Sequence, residues 1–396
     1  MRRAVRVLGL AVCAAALGIA MPVSAAGTPA DVQSASTVTV VPATDATVNA
    51  HAERLVAAMS TRERAASIVM GHVPTPDPAA LRDYISDAGL GGFILMGANI
   101  PADEAALRAV TAALTLDPAL PPLIGIDEEG DDVTRLPWDD LPGAVTLKNA
   151  EPQASAAAFA ARGGLLQRAG VNVNFGVVAD VPADSGSFIF RRALGTTPAS
   201  AADRVTAAVQ GHSGLVASTL KHFPGHGAAP GDSHHMLPTT DRSLEAWEQE
   251  DGTPFRAGID AGADLLMFGH LVYTAVDAAP ASLSPEWYRI AREDLGFDGV
   301  TITDDLGMLQ NTGEPQYADP VANAVSAVAA GADMVMAVML SDAGTAGRIV
   351  DGLAAAAESG TLSAERLDEA AARVIELRLQ HSPGGMLPCA DCQPAE

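Results

Sequence analysis

The chain has 396 residues, of which 48% are hydrophobic and 18% are charged, so it is long enough to bury a sizeable core in one large domain or two medium ones. Its formal net charge of −24 argues against nucleic acid and anionic lipid as partners, because an acidic surface repels both. A globular protein is the default expectation.

The first 25 residues have the pattern of a cleaved secretion signal. Three arginines precede an apolar run, and the small-residue pattern Val23-Ser24-Ala25 follows it. Cys13 in "LAVC" is similar to a lipoprotein processing site, but the bulky Val12 before it and its early position favour a freely secreted protein. We therefore expect residues 1–25 to be a signal peptide and the mature protein to be extracytoplasmic, without a membrane span.

Residues 26–50 are rich in Ala, Thr, Ser and Pro without helical periodicity, which predicts a flexible arm. The folded domain is expected at residues 51–381, and residues 382–396 are expected to form a tail. Cys389 and Cys392 lie in that tail, where a local disulfide is the favoured interpretation for a secreted protein.

Short apolar runs alternate with Ala-rich helical stretches through the predicted domain. Eight runs have strand length: residues 67–71, 91–96, 122–127, 171–176, 215–222, 263–270, 300–305 and 332–338. Continuous rather than alternating apolar character is typical of parallel strands buried on both faces. Eight such units predict an α/β fold, a single (β/α)₈ TIM-type barrel, whose chemistry lies where the strands end. An open doubly wound sheet is the alternative, but no G-x-G-x-x-G turn follows the first run.

Polar residues crowd the predicted strand ends. Asp127 ends the third run, His270 the sixth, and Asp304 and Asp305 the seventh. A carboxylate that projects into a barrel mouth is suited to act as a nucleophile or a metal ligand, whereas Asp305 better fits an N-cap of the next helix.

The stretch "KHFPGHGAAPGDSHHMLP", residues 221–238, follows the fifth run. Lys221 is one of only two lysines, with Lys148, in a chain that uses arginine for nearly all its positive charge, which indicates a need for a compact ammonium group. Asp232 and His234 are two residues apart, so in an extended segment both side chains lie on one side, and the carboxylate would orient the imidazole for proton transfer.

The same loop contains His222, His226 and His235, which raises a metal site as an alternative. Their spacing matches neither H-E-x-x-H nor a paired C-x-x-C pattern, so no metal or other cofactor is expected. His226 and His235 have no predicted role.

Together these motifs resemble glycoside hydrolase family 3, in its β-N-acetylglucosaminidase branch that trims peptidoglycan sugars. The resemblance rests on K-H-F-P-G-H-G at residues 221–227, D-S-H at residues 232–234 and the proline at position 238. It extends over "GLGGFILMGANI" (89–100), "NFGVVADV" (174–181), "RALG" (192–195), "PASLSPEW" (280–287) and "LGFDGVTITDDLGM" (295–308).

The resemblance implies a retaining exo-β-N-acetylglucosaminidase that acts on cell-wall muropeptides or related glycans through a covalent glycosyl-enzyme. By motif position Asp304 is the nucleophile, and His234, held by Asp232, is the acid/base group. The sugar-binding positions implied by the resemblance are Asp127, Arg192, Lys221, His222 and, less directly, His270. A monomer is favoured.

One departure from the family pattern lies near this site. The family's D-Q-E-G-G-R-V-x-R appears as "DEEGDDVTR" (127–135), so Asp131 and Asp132 replace a Gly-Arg pair. This exchange of one positive charge for two negative charges is expected to make anionic muramyl ligands less favourable. The exchange also leaves open a catalytically weak protein that binds cell-wall glycan. Phosphorolysis in place of hydrolysis is a second alternative, because a histidine acid/base group repels incoming phosphate less than a carboxylate would.

Overall fold

The eight apolar runs form eight parallel strands that close into one barrel. In the computed structural model, which describes residues 46–382 and the backbone of residues 39–42, 45 and 386–389, the barrel strands follow one another in chain order. They are β1 (Val69–Gly71), β2 (Gly92–Leu95), β3 (Leu123–Ile126), β4 (Val173–Val178), β5 (Ala217–Phe223), β6 (Leu265–Phe268), β7 (Val300–Asp305) and β8 (Met334–Met336). The predicted (β/α)₈ fold is therefore confirmed.

Pairing between the last strand and the first closes the barrel. Val335 and Met336 of β8 are in register with Val69 and Met70 of β1. Almost every residue of the eight strands is buried, because side chains that point inward fill the barrel and those that point outward are covered by helices. The continuous apolar runs of the sequence have this origin.

Fourteen α-helices occur within residues 45–382. They are α1 (Asp45–Ala58), α2 (Thr61–Ser67), α3 (Pro78–Ala88), α4 (Glu104–Leu114), α5 (Ala144–Leu147), α6 (Pro152–Arg168), α7 (Pro198–His212), α8 (Leu244–Gln249), α9 (Gly252–Asp260), α10 (Pro285–Arg289), α11 (Leu306–Asn311), α12 (Pro320–Ala330), α13 (Thr345–Ser359) and α14 (Ala364–Gln380). The helices predicted at residues 320–331 and 364–380 correspond to α12 and α14.

Local sequence explains where several helices begin. The Asp77 side chain accepts a hydrogen bond from the Ala79 N–H at the start of α3, and Pro78 occupies the first helical position. Thr197 caps α7 in the same manner, again before a proline. Such residues satisfy N–H groups that lack a helical partner, and proline at the first position sacrifices no hydrogen bond.

The first helix begins before the predicted start of the folded domain. α1 begins at Asp45, ahead of the expected start at His51 and inside the predicted flexible arm. Val48, Ala52 and Val56 are buried at four-residue intervals, and α1 packs against α14. This narrow apolar stripe is easily overlooked in an Ala- and Thr-rich composition, which was the basis of the prediction.

The ends of the chain are described only in part. Strands Thr39–Pro42 and Met386–Cys389 form a separate two-stranded sheet, so β-structure occurs in both the predicted arm and the predicted tail. The predicted signal peptide, Cys13 and Cys392 lie outside the described residues, as does the Cys389 side chain. No helix within the described part of the chain has both the length and the apolar character needed to span a bilayer.

Candidate active site

A pocket of about 180 Å³ opens where the barrel strands end. Its lining contains six of the eight residues predicted from sequence to form the site. Asp232 lies outside the lining but is bonded to His234, and His270 is also outside it. The polar lining residues are Asp127, Arg135, Arg192, Lys221, His222, His226, Ser233, His234, Asp304 and Asp305. Five methionines also line the pocket: Met96, Met267, Met308, Met336 and Met339.

Lys221 is the centre of a buried charge network on one wall of this pocket. Its Nζ atom lies 2.7 Å from Asp127 Oδ1 and 2.7 Å from Glu129 Oε1, and the lysine side chain is only 2% exposed. Glu129 also accepts two hydrogen bonds from the Arg192 guanidinium, at 2.9 and 2.7 Å. Arg135 approaches Asp127 at 3.3 Å. Lys221 is therefore held in place by two carboxylates rather than exposed at the end of a strand.

The network also sets the charge of its members. Burial by itself raises the pKa of Asp127, but the nearby Lys221, Arg135 and Arg192 outweigh burial and lower that pKa to about 2. Burial lowers the pKa of Lys221, but Asp127 and Glu129 outweigh it and hold the pKa above its ordinary value. Since both groups remain charged at neutral pH, the wall presents ionic hydrogen-bonding groups to a polar ligand.

His222 is oriented by a buried aspartate that the sequence analysis did not identify. Asp180, which is 0% exposed, lies just beyond β4 and accepts a hydrogen bond from His222 Nδ1 at 2.8 Å. It also accepts from the backbone N–H groups of His222 and His226, at 3.2 and 2.6 Å. Because Nδ1–H donates to Asp180, the Nε2 atom faces the pocket side of the ring, 3.4 Å from an Arg192 nitrogen.

Hydrogen bonds from two side chains outside the pocket hold the turn after β5. The Trp247 indole N–H donates to the Pro224 carbonyl at 2.7 Å, and the Tyr273 hydroxyl donates to the Gly225 carbonyl at 2.7 Å. Two cis peptide bonds, Lys221–His222 and Phe223–Pro224, lie in this stretch. These contacts hold the start of the loop that carries the predicted acid/base histidine.

The predicted Asp232–His234 dyad is present. Asp232 Oδ1 lies 2.6 Å from His234 Nδ1 and also accepts the backbone N–H of His234 at 3.0 Å. Burial raises the pKa of Asp232, but hydrogen bonds from the His234 backbone and ring outweigh it and lower the pKa below its ordinary value. The ring of His234 is 46% exposed at the pocket mouth, so its second nitrogen is accessible to a ligand.

Two contacts further along the chain fix the end of this loop. Asn311 of α11 donates to the His234 carbonyl at 2.6 Å and lies 3.2 Å from His235 Nδ1. Beyond them, Thr239 and Thr240 pair in parallel with Val272 and Tyr273. His235 thus contacts the helix that follows β7. His226, for which no role was predicted, lies 3.0 Å from the Ser233 hydroxyl through Nε2.

Asp304 and Asp305 occupy the last two positions of β7, so both belong to the strand. Burial raises the pKa of Asp304, but the charges of His222 and His270, the Asp305 N–H and the charge of Lys221 together lower it below its ordinary value. An ionised carboxylate at the pocket base is suited to nucleophilic attack.

Asp305 is bonded to backbone N–H groups and has a structural role. It caps α11 through Gly307 N–H at 2.9 Å, as predicted, and accepts the N–H groups of Val338 and Met339 at 2.8 and 2.7 Å. Burial nevertheless raises the pKa of Asp305 to about 6. Because the bonds from Val338 and Met339 tie β7 to the segment after β8, Asp305 holds the strand end that presents Asp304.

His270 does not occupy the position expected of a sugar-binding residue. It is 1% exposed, with Nδ1 at 2.7 Å from the Ser282 hydroxyl and Nε2 at 2.9 Å from the Asp305 carbonyl. With both ring nitrogens engaged, His270 supports the chain behind Asp304 instead of contacting a ligand. His270 lies at a strand end, as predicted, but only the folded structure shows that it lies behind the pocket lining.

The two acidic residues that depart from the family motif each have a partner. Asp132 receives two hydrogen bonds from Arg191, at 2.5 and 2.7 Å, and Asp131 Oδ2 accepts the Val145 N–H at 2.7 Å. Asp131 adopts a φ of 54°, a conformation that favours glycine. The added negative charge of Asp132 is therefore offset locally by Arg191, a pairing that the sequence analysis did not anticipate.

Glu129, Arg135 and Asp180 are the main site residues absent from the sequence-derived set. Signals for all three were present: Glu129 and Arg135 lie in "DEEGDDVTR", and Asp180 follows a buried strand in "NFGVVADV". In the part of the chain that the structure describes, no cluster of three or more His, Cys, Asp or Glu side chains is arranged to hold a metal ion.

A larger depression of about 670 Å³ lies at the opposite end of the barrel. Its lining includes Asp264 and Asp298, which precede β6 and β7, and it contains none of the predicted site residues. Since active sites of this fold lie at the carboxyl ends of the strands, the smaller pocket is the candidate active site.

The chain is similar in sequence to relatives of known name. The chain is 35% identical over 264 residues to a β-hexosaminidase of Methylococcus capsulatus, which covers 64% of this chain and 77% of that protein. It is 36% identical over 275 residues to a β-hexosaminidase of Chromobacterium violaceum, covering 65% of this chain and 74% of that protein.

Solved structures of related proteins are also similar to this chain. A glycoside hydrolase family 3 β-N-acetylglucosaminidase from Paenibacillus sp. superposes with a TM-score of 0.76 at 32% identity, covering 81% of this chain and 63% of that one. A β-N-acetylhexosaminidase from Beutenbergia cavernae gives a TM-score of 0.72 at 29% identity, covering 81% and 98%. The chain thus spans less than two thirds of the Paenibacillus protein.

The family assignment follows from the extent of the match. Residues 60–377 correspond to the glycosyl hydrolase family 3 N-terminal domain, a range that contains every barrel strand and every residue of the pocket described above. The chain therefore belongs to glycoside hydrolase family 3 and is a glycoside hydrolase.

Proposed function

We propose that this protein is a retaining exo-β-N-acetylglucosaminidase that releases terminal N-acetylglucosamine from cell-wall muropeptides or related glycans, outside the cytoplasm. The observation that carries the proposal is one pocket lined by both Asp304 and His234, with His234 bonded to Asp232. Similarity to proteins named β-hexosaminidase and β-N-acetylglucosaminidase supports the β-hexosaminidase activity.

In the first step, a carboxylate oxygen of Asp304 attacks the anomeric carbon, and the bond between that carbon and the leaving oxygen breaks. The proton on the pocket-facing nitrogen of His234 passes to the leaving oxygen. Asp232 accepts the hydrogen bond from the other ring nitrogen, at 2.6 Å, and thereby keeps the imidazole in the required tautomer.

In the second step, a water molecule gives a proton to His234 and attacks the anomeric carbon, which restores the Asp304 carboxylate and the protonated imidazole. Two displacements at the same carbon retain the anomeric configuration. The pKa of Asp304 lies below its ordinary value, so its carboxylate is ionised at neutral pH, and this supports its role as the nucleophile.

The charged wall of the pocket is suited to bind the terminal sugar. Asp127, Lys221 and Arg192 present ionised groups, and His222 presents an imidazole nitrogen beside Arg192. Such groups make strong hydrogen bonds to hydroxyl and acetamido groups. A volume of about 180 Å³ suits one terminal sugar, which supports exo cleavage.

The proposal is tested by trapping the intermediate. The protein is incubated with a fluorinated N-acetylglucosaminyl analogue that forms the glycosyl-enzyme quickly and hydrolyses slowly, and the labelled peptide is identified by mass spectrometry. Label on Asp304, and none in an Asp304→Asn variant, is the expected result. Label on another residue overturns the assigned nucleophile, and glycan binding without label or turnover indicates a binding protein.

The same preparation distinguishes hydrolysis from phosphorolysis. Turnover of an N-acetylglucosaminide is followed by mass spectrometry with and without inorganic phosphate. Free N-acetylglucosamine in both buffers is the expected product. A sugar 1-phosphate that forms only with phosphate identifies a phosphorylase, in which phosphate replaces water in the second step.

A further inference from the structure

Phe188 is an apolar side chain exposed at the edge of the pocket. It lies between β4 and α7, lines the pocket, and is 40% exposed, whereas the next residue, Ile189, is fully buried. Ile189, rather than Phe188, supplies the buried side chain of this segment. Because the ring lines the pocket and is partly exposed, it is available to contact a ligand that enters there.

The ring of Phe188 lies next to the proposed acid/base residue. Its centroid is 6.0 Å from that of His234, at an interplanar angle of 71°, and 5.3 Å from that of His226. To receive a proton, the leaving oxygen must come within hydrogen-bonding distance of His234. The group attached to that oxygen therefore passes beside Phe188.

The charges around Phe188 distinguish between neutral and anionic leaving groups. Arg191 is paired with Asp132, and Arg192 is paired with Glu129. Arg191 does not line the pocket. With Arg192, the arginines and lysines among the described pocket-lining residues are Arg135 and Lys221, and both are bonded to Asp127. An anionic leaving group would have to compete with a carboxylate for each of these cations, whereas a neutral one meets no such cost.

We propose that Phe188 forms the platform of a leaving-group subsite, on which the apolar face of a neutral pyranose, such as a second N-acetylglucosamine, packs beside His234. This inference rests on the proposed function. It restricts the substrates to the related glycans with a neutral sugar at the cleaved bond and disfavours muropeptides, whose muramyl leaving group is anionic. Ring packing against an aromatic side chain buries C–H groups that water would otherwise cover.

Three substrates that share the terminal sugar test this subsite. The leaving group of N,N′-diacetylchitobiose is a sugar that must be protonated. The leaving group of methyl β-N-acetylglucosaminide must also be protonated, but it contains no ring. The fluoride of β-N-acetylglucosaminyl fluoride contains no ring and leaves without protonation. The variants are Phe188→Ala, which removes the ring, and Phe188→Trp, which keeps an aromatic face. Leu116→Ala, at an exposed leucine between α4 and β3, is the control for loss of an exposed apolar side chain.

We expect kcat/KM of Phe188→Ala for chitobiose to fall about tenfold more than for the methyl glycoside, a loss equivalent to about 1.4 kcal/mol. Phe188→Trp should retain most of the chitobiose activity. An equal fall for chitobiose and the methyl glycoside overturns the subsite, because it shows that Phe188 only positions His234. If the wild-type protein hydrolyses none of the three substrates, the proposed function fails and this inference falls with it.

The preference for a neutral leaving group is tested with the wild-type protein. Its kcat/KM is measured for chitobiose and for the disaccharide of N-acetylglucosamine and N-acetylmuramic acid, whose lactyl group is anionic. Higher kcat/KM for chitobiose is expected. An equal or higher value for the muramyl disaccharide overturns the preference while leaving the glycosidase activity itself intact.

Discussion

Asp232 Oδ1 lies 2.6 Å from Nδ1 of His234 and accepts the backbone N–H of the same residue at 3.0 Å. One carboxylate oxygen thus binds both the ring and the main chain of its partner, which restricts the imidazole to one orientation. The other ring nitrogen is left on the pocket side of a ring that is 46% exposed. An acid/base residue requires this arrangement.

Loss of His234 should depend on the leaving group. For His234→Ala, kcat/KM for the methyl glycoside is expected to fall by about 10²–10⁴, because the leaving alkoxide no longer receives a proton. The fall for the glycosyl fluoride should be much smaller. Asp232→Asn combined with His234→Ala should cost about as much as His234→Ala alone, since the two residues act as a unit. Equal losses with all leaving groups would refute general acid catalysis by His234.

Replacement of the proposed nucleophile should abolish turnover. We expect Asp304→Asn to lower kcat by roughly 10⁴-fold or more, because an amide does not form the glycosyl ester. The measurement is release of an aryl leaving group from an aryl N-acetylglucosaminide. Asp298→Asn, at an exposed position at the other end of β7, is the matched control and should retain activity. Unchanged turnover by Asp304→Asn would exclude the mechanism.

Loss of the buried lysine should affect both stability and binding. Lys221→Met leaves Asp127 and Glu129 without their shared ammonium group, at an expected cost of about 3–5 kcal/mol in the free energy of unfolding. The variant should also show a higher KM. Denaturant unfolding measures the first effect.

Lys148 is the control because it is the other lysine of the chain, and its Nζ contacts the Phe190 carbonyl rather than a buried carboxylate pair. Lys148→Met should therefore cost much less than Lys221→Met. Equal destabilisation by the two variants would contradict the importance of the Asp127 and Glu129 pairing.

Glu128 predicts a pH dependence of stability. Burial raises the pKa of Glu128 to about 8, and the nearby Asp139 adds to the shift. The folded protein then binds a proton that the unfolded chain releases near its ordinary pKa of 4.5, so this contribution to stability is lost as pH rises from about 4.5 to about 8. Glutamine does not titrate, so Glu128→Gln should escape this loss.

The measurement is the Tm of both proteins across that range. At about pH 5 the two Tm values should be similar, and near pH 9 the variant should be more stable by at least about 2 °C, the shift expected for roughly 1 kcal/mol. A Tm difference that does not change with pH would show that Glu128 is ionised in the folded protein throughout.

A methyl group at Gly227 should disturb the loop that carries His234. A Cβ atom there would lie 1.8 Å from the Val181 carbonyl oxygen, so the backbone must move. Gly227→Ala is expected to lower stability by about 1–3 kcal/mol and to reduce kcat/KM. Gly347→Ala in α13 meets nothing within 4 Å and should be neutral or stabilising by about 0.5–1 kcal/mol. Full activity in Gly227→Ala would show that the loop adapts without cost.

Strand positions were predictable because each buried strand of a parallel barrel is a short continuous apolar run. β7 coincides with its predicted residues 300–305, and the other strands lie within or close to theirs. The start of α1 was missed because its apolar stripe consists of small residues that recur only every fourth position. Composition alone does not distinguish such a stripe from a polar linker.

In the site, too, some residues could be predicted from local sequence and others could not. Asp232 and His234 are two residues apart, and Asp304 lies at a strand end, so local sequence was sufficient to select them as candidates, whereas their roles are implied by the family resemblance. His270 also ends a strand, but its neighbours Ser282 and Asp305 are distant in sequence, and their hydrogen bonds place it behind the pocket. A strand-end position indicates which end of the barrel a residue occupies, and it leaves undetermined which partners the side chain finds there.

Local patterns of apolar and polar residues therefore established the barrel, the end that carries the chemistry and the dyad on the loop, because each depends on residues close together in the chain. Barrel closure was needed to define the ion network, since Lys221 is 94 residues from Asp127 and His222 is 42 residues from Asp180. It also brought Arg191 to Asp132, which are 59 residues apart, and placed Phe188 beside His234. Such contacts depend on which strand ends meet in space, and no local pattern encodes that proximity.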